Sequence, residues 1–219
     1  MSRREVIIDQ DGLTLTGDLT LPADARGLVV FAHGSGSSRF SARNRAVASH
    51  LNRAGLATLL FDLLTADEEL IDARTAKLRF DIPLLAGRLT GTVDWSGRQP
   101  LLTGLPLGLF GASTGAAAAL ISAAERPQRV AAVVSRGGRP DLALPVLDRV
   151  RAPTLLVVGG HDPEVLALNR EALAALTCEK ALAIVPGATH LFEEPGALEQ
   201  VADLAAAWFL DHLPAPSQP

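Results

Sequence analysis

The chain has 219 residues, 48% of them hydrophobic and 20% charged, with a formal net charge of −4. That length and balance suit one globular domain with a sizeable core, and the acidic, interspersed charge argues against a nucleic-acid partner, which would call for a basic patch or stripe. The lone Cys178 excludes an intramolecular disulfide and any multi-cysteine metal site, and no apolar run approaches the roughly 18 residues of a spanning helix.

The N-terminal MSRREVIIDQDG is polar and lacks the apolar core of a signal peptide, so the expectation is a soluble cytoplasmic protein without membrane insertion. Val6 to Asp9 and Leu13 to Leu21 read as a short antiparallel pair turned at Gln10-Asp11-Gly12. Gly27 to Ala32 is a compact apolar run suited to a strand buried on both faces. A helix is expected from about Ser41 to Ala54, closed by Gly55, and then a strand from Ala57 to Phe61. Asp62 to Lys77 is polar and shows no clear element. Phe80 to Trp95 reads as a helix with Pro83 in its first turn. Further strands are expected at Leu105 to Phe110, Val130 to Ser135, Thr154 to Val158 and Ala181 to Val185. Helices are expected at Thr114 to Ala124, Pro163 to Leu176 and Pro195 to His212. Residues 1–213 thus form a single domain, and residues 214–219 a disordered tail.

Strands alternating with helices after an N-terminal hairpin imply an α/β fold with a mostly parallel central sheet and helices on both faces. In such sheets functional groups gather just beyond the carboxyl ends of the strands. Those ends carry His33-Gly34-Ser35-Gly36, Asp62, Gly111-Ala112-Ser113-Thr114-Gly115, Ser135-Arg136-Gly137-Gly138-Arg139, Gly159-Gly160-His161-Asp162 and Gly187-Ala188-Thr189-His190. Gly111-Ala112-Ser113-Thr114-Gly115 is a Gly-x-Ser-x-Gly pattern in a strand–turn–helix setting. A serine hydroxyl is a poor nucleophile without a base to take its proton, and a tight turn would expose it beside a helix N-terminus. The bland alternative is that Ser113 caps the helix.

The candidate acid and base follow in the order that this fold requires, nucleophile, acid, histidine. Asp162 ends one strand, with an N-cap before Pro163 as its structural alternative and Glu164 and Asp141 as substitute acids. His190 lies after the next strand. Its rivals fall inside helices (His50, His212), before the nucleophile (His33) or beside the acid (His161).

These motifs make the chain resemble the α/β-hydrolase superfamily, and within it the small, cap-less dienelactone-hydrolase-like branch. The resemblance runs from the His33-Gly34-Ser35-Gly36 turn to the last helix. It departs at one place: dienelactone hydrolases proper use a cysteine at the elbow, where this chain has Ser113. That favours a serine esterase over dienelactone hydrolysis. The resemblance implies catalytic Ser113, Asp162 and His190, with an oxyanion hole from the Thr114 and Ser35 amides. His33 and Gly34 are expected among the substrate-binding residues, with His33 shaping that loop rather than transferring a proton. Only about eighteen residues (153 − 135) separate Ser135 from Pro153, too few for a large cap domain.

The activity implied is hydrolysis of small or short-chain carboxylic esters through an acyl-enzyme, needing no metal or organic cofactor. A lactone or thioester hydrolase, an acyltransferase or perhydrolase with the same triad, and a non-catalytic interaction module are the alternatives. The expected partner is a small-molecule ester, and the expected assembly a monomer or homodimer. Arg136 and Arg139 either grip an anionic substrate or pair with Asp141, Asp62 or another local carboxylate. Leu64, Leu70 and Ile71 are candidates for an apolar cleft wall.

Overall fold

The hairpin β1 (Ser2–Gln10) and β2 (Leu13–Leu21) is paired along its whole length, with Gln10 opposite Leu13. Its turn residues Asp11 and Gly12 both take positive φ, 52° and 95°, as a tight two-residue hairpin turn demands. The computed structural model describes residues 1–215; of the disordered tail expected at 214–219, residues 216–219 lie outside the described residues.

Six further strands complete one sheet: β3 (Leu28–Ala32), β4 (Ala57–Phe61), β5 (Leu107–Ala112), β6 (Val130–Arg136), β7 (Thr154–Gly159) and β8 (Lys180–Val185). Their order is β1-β2-β4-β3-β5-β6-β7-β8. β2 runs antiparallel to β1 and β4, and every pairing from β4 to β8 is parallel. Every residue of β3, β4, β5 and β7 is buried. Continuous apolar runs are what parallel strands covered on both faces require.

Alternate side chains feed two cores, as the period of a strand dictates. Val29, Phe31 and Phe110 pack under α1 (Ala42–Arg53) and α6 (Ala197–His212). Val30, Ala32 and Leu109 face the opposite layer, which contains α3 (Ile82–Gly97) and α4 (Thr114–Glu125). The same layer includes α5 (Pro163–Ala175) and a 3-10 stretch, Pro140–Arg149, packed against α4 and α5. No cap domain interrupts the chain there.

Several boundaries differ from the sequence expectation, β1 starting at Ser2 rather than Val6, β5 at Leu107 rather than Leu105 and α6 at Ala197 rather than Pro195. Asp62 to Lys77 contains a helix, α2 (Ala66–Thr75), opened by a capping box in which Thr65 Oγ1 accepts from Glu68 N–H and Glu68 accepts from Thr65 N–H. Its apolar Leu70 and Ile71 are 65% and 55% exposed, so no buried stripe marks it in the pattern. α3 starts at Ile82 rather than Phe80, because the Asp81 carboxylate accepts from Leu84 N–H and caps the helix there. Among the described residues no helix is long and apolar enough to cross a membrane.

Candidate active site

The chain leaves β3 on one side to form β4, then crosses back to form β5 on the other, so β3 and β5 are neighbours with Ala32 opposite Gly111. Ligands bind at such a reversal, beyond the carboxyl ends of the strands. The reversal brings the loop after β3 against the turn after β5.

That turn is strained. Ser113 has φ 51° and ψ −121°, a conformation costing a non-glycine residue about 1–3 kcal/mol. Local packing holds it there: Ser113 N–H donates to Arg136 O at 3.2 Å, and Arg139 N–H donates to Ser113 O at 3.0 Å. The flanking glycines are obligatory. A Cβ on Gly111 would lie 2.4 Å from Ala116 Cα, and one on Gly115 would lie 2.3 Å from Ala32 O. Ser113 occupies the N-cap position of α4 without capping it through its side chain, which disposes of the capping alternative. Thr114 is the first residue of α4, where a backbone N–H has no intrahelical acceptor.

The loop after β3 rides on this turn. A Cβ on Gly34 would come within 3.1 Å of Ser113 Cβ, so glycine lets the loop that carries Ser35 approach the elbow without pushing it back by a few tenths of an ångström. His33 anchors the loop from below. Its Nε2 accepts from Leu63 N–H at 3.1 Å, which puts the ring proton on Nδ1, donated to Gly34 O at 3.0 Å. Burial holds the His33 imidazolium pKa below its usual 6.5. With both nitrogens bonded to backbone, His33 has no polar group left for a substrate. Its expected place among substrate-binding residues is corrected to a loop anchor.

Asp162 and His190 come together from successive strand ends. Asp162 stands at the N-cap of α5, yet its side chain caps nothing. Instead its Oδ2 lies 2.7 Å from His190 Nδ1, with the carboxylate side chain 14% exposed and the imidazole 39%. His190 is held by a tight loop in which Thr189 N–H and Oγ1–H both donate to Glu194 Oε1, at 3.0 and 2.6 Å. Those bonds, the Thr189 hydroxyl foremost, hold the Glu194 carboxyl below its ordinary range. Gly137, at φ 51°, lies under the ring: a Cβ there would meet His190 O at 3.1 Å.

Ser113 and His190 line one cleft of about 200 Å³ with Gly34, Ser35 and Arg136. No direct Ser113–His190 hydrogen bond is formed among the described residues. A slightly larger hollow, about 240 Å³ beside Arg3, Arg45 and Ser49, contains none of these groups. Chemistry rather than size therefore selects the site.

The arginines divide. Arg139 forms a bidentate pair with Asp141 at 2.8 and 2.7 Å, the ion-pair alternative of its two readings. Asp62 is bound by Arg39, through the backbone N–H at 2.8 Å and Nη1 at 3.3 Å. Among the described residues Arg136 contacts no carboxylate, and it lines the cleft. Leu64 borders a small hollow beside the Ser35 loop, whereas Leu70 and Ile71 face outward from α2 and form no wall of the Ser113 cleft. Asn44, Ser41 and Arg43 also line the cleft, although nothing in their local sequence distinguishes the first turn of α1 from any polar helix start.

Residues 15–210 match the Dienelactone hydrolase family. The chain belongs to that family. Its hydrolase membership agrees with a similar structure, the dienelactone hydrolase from Anabaena variabilis ATCC 29413. That protein is 57% identical, with a TM-score of 0.96 over 97% of this chain and 99% of that one. Est1E from Butyrivibrio proteoclasticus shares the fold at 18% identity, with a TM-score of 0.79 over 94% of this chain and 98% of that one. Two Mycobacterium tuberculosis proteins, from strains CDC 1551 / Oshkosh and H37Rv, are each 58% identical over 97% of this chain and carry the name "Putative phosphoribosyl transferase". The match covers 48% of each of them, so this chain spans about half the length of the curated relatives it matches.

Proposed function

We propose that this chain is a serine esterase that cleaves small carboxylic esters through an acyl-enzyme on Ser113. The observation that carries the reading is the 2.7 Å Asp162–His190 contact beside the strained serine turn. In this mechanism Asp162 accepts the His190 Nδ1 proton in a hydrogen bond and so leaves Nε2 free to take the Ser113 proton. Ser113 Oγ attacks the ester carbonyl, and the tetrahedral oxyanion is met by the amides of Thr114 and Ser35. Collapse breaks the ester C–O bond, and His190 returns the proton to the departing alcohol. Water, deprotonated by the same imidazole, then attacks the acyl-enzyme and releases the carboxylic acid with Ser113 restored.

A cleft of about 200 Å³ supports short acyl chains, since pockets for larger ligands run from roughly 300 to 1,000 Å³. The transferase name borne by the longer tuberculosis relatives stays with those proteins.

The test is hydrolysis of 4-nitrophenyl esters of increasing acyl length, with a fluorophosphonate probe as a parallel label. The expected result is turnover that falls with chain length, covalent labelling at Ser113, and loss of both in Ser113→Ala. Full activity in Ser113→Ala would overturn the mechanism.

A further inference from the structure

Arg136 ends β6 beside the elbow, opposite Ala112 in the sheet, and its carbonyl accepts the Ser113 N–H. The residue is only 8% exposed. Of its guanidinium nitrogens, Nη2 donates to the neutral Asn44 Oδ1 at 3.3 Å, while Nε and Nη1 are buried without a partner among the described residues. Buried charges are ordinarily paired, because an uncompensated one forfeits its hydration. Asp141 is engaged by Arg139, Asp62 by Arg39, and Glu193 by Arg43 Nη1. Burial, reinforced by repulsion from Arg43, lowers the Arg136 pKa to about 10, which still leaves it cationic at neutral pH.

Its surroundings are rich in donors. Ser35, Ser37, Ser41, Arg43 and Asn44 line the same cleft as Ser113 and His190, and among the described residues no aspartate or glutamate lines it. Arg43 adds a third buried nitrogen without a partner among the described residues, its Nε.

We propose that this corner of the cleft is a phosphate subsite, and that the natural substrate is an acyl ester bearing a phosphomonoester group a short arm from the scissile carbonyl. A tetrahedral dianion has three terminal oxygens to receive donors arriving from two guanidiniums and several hydroxyls. A carboxylate is planar and singly charged, and a neutral ester would leave Arg136 uncompensated. The proposal deepens the esterase reading and rests on it for the bond that is cleaved.

Three acetate esters matched in length test it: 3-acetoxypropyl phosphate, 4-acetoxybutanoate and propyl acetate. The wild type is expected to favour the phosphate ester in kcat/KM by about tenfold or more, the worth of one charge-assisted hydrogen bond. Arg136→Met should bring that ratio near unity, and Arg43→Met, on the cleft rim, should reduce it and serve alone if Arg136→Met does not fold. Equal rates in the wild type, a preference for the carboxylate ester, or a phosphate preference insensitive to both substitutions would each overturn the subsite.

Calorimetric titration of inorganic phosphate into Ser113→Ala separates the two readings. Binding that disappears when Arg136→Met or Arg43→Met is added supports the subsite even if no ester is cleaved, in which case the esterase reading alone fails. Ester cleavage without such binding sinks the subsite alone.

Discussion

Asp162 illustrates how one residue type serves two purposes. An aspartate before a proline at a helix start is a good N-cap, and nothing local separates that use from orienting a histidine. The side chain makes no capping bond and lies 2.7 Å from His190 Nδ1 instead. Asp162→Asn should therefore leave stability nearly unchanged while disturbing the tautomer that His190 must hold. The expected effect is a fall in kcat of about 10⁴-fold with KM little altered, measured by steady-state kinetics alongside a thermal unfolding curve. Loss of activity accompanied by a large fall in Tm would assign Asp162 a structural role. Ser113 presents the converse case. Its role was suggested by its neighbours, but its positive φ and the absence of a side-chain cap follow only from coordinates.

Among the elements, the β5–α4 junction carries the most constraint. Gly111 and Gly115 are legible as a motif, and the structure supplies the collisions that make them necessary. At Gly115 a methyl group would press on two backbone carbonyls, Ala32 O at 2.3 Å and His33 O at 2.5 Å. Neither belongs to a flexible side chain, so relief requires α4 to move away from β3. Gly115→Ala should cost about 3 kcal/mol, the upper end of overpacking, and displace the Ser113 turn from the Ser35 loop. Chemical denaturation and activity should decline together. A variant with wild-type stability would show that the junction is looser than its distances state. α2 shows the limit of reading elements from pattern. Its capping box, Thr65 with Glu68, was present in the sequence, but its apolar residues point outward and its polar face carries no helical signature. Periodicity reports burial, and a helix with almost nothing buried leaves little periodicity.

Across the whole molecule, His33 ties the loop after β3 to the segment after β4, through Gly34 O on one side and Leu63 N–H on the other. Burial depresses its folded pKa below 6.5, whereas the unfolded imidazole titrates near that value. Below about pH 6.5 the unfolded chain therefore takes up the proton first, and stability falls until the pH passes the folded pKa. Urea midpoints should decline between pH 8 and pH 5, and His33→Asn should flatten that decline while lowering the midpoint at pH 8. An unchanged slope in the variant would remove His33 from the pH response.

The alternation of strands and helices, the hairpin at Asp11-Gly12, and the order Ser113, Asp162, His190 were all determined by the amino-acid sequence, because each rests on local pattern or on chain order. Tertiary structure alone decided which competing partner each charged group took. Asp62 went to Arg39, 23 residues away, and Arg136 was left facing Asn44 and an open cleft. The physical reason is that pairing depends on which groups the crossing from β3 through β4 to β5 brings within a few ångströms, across separations such as the 92 residues between Asn44 and Arg136.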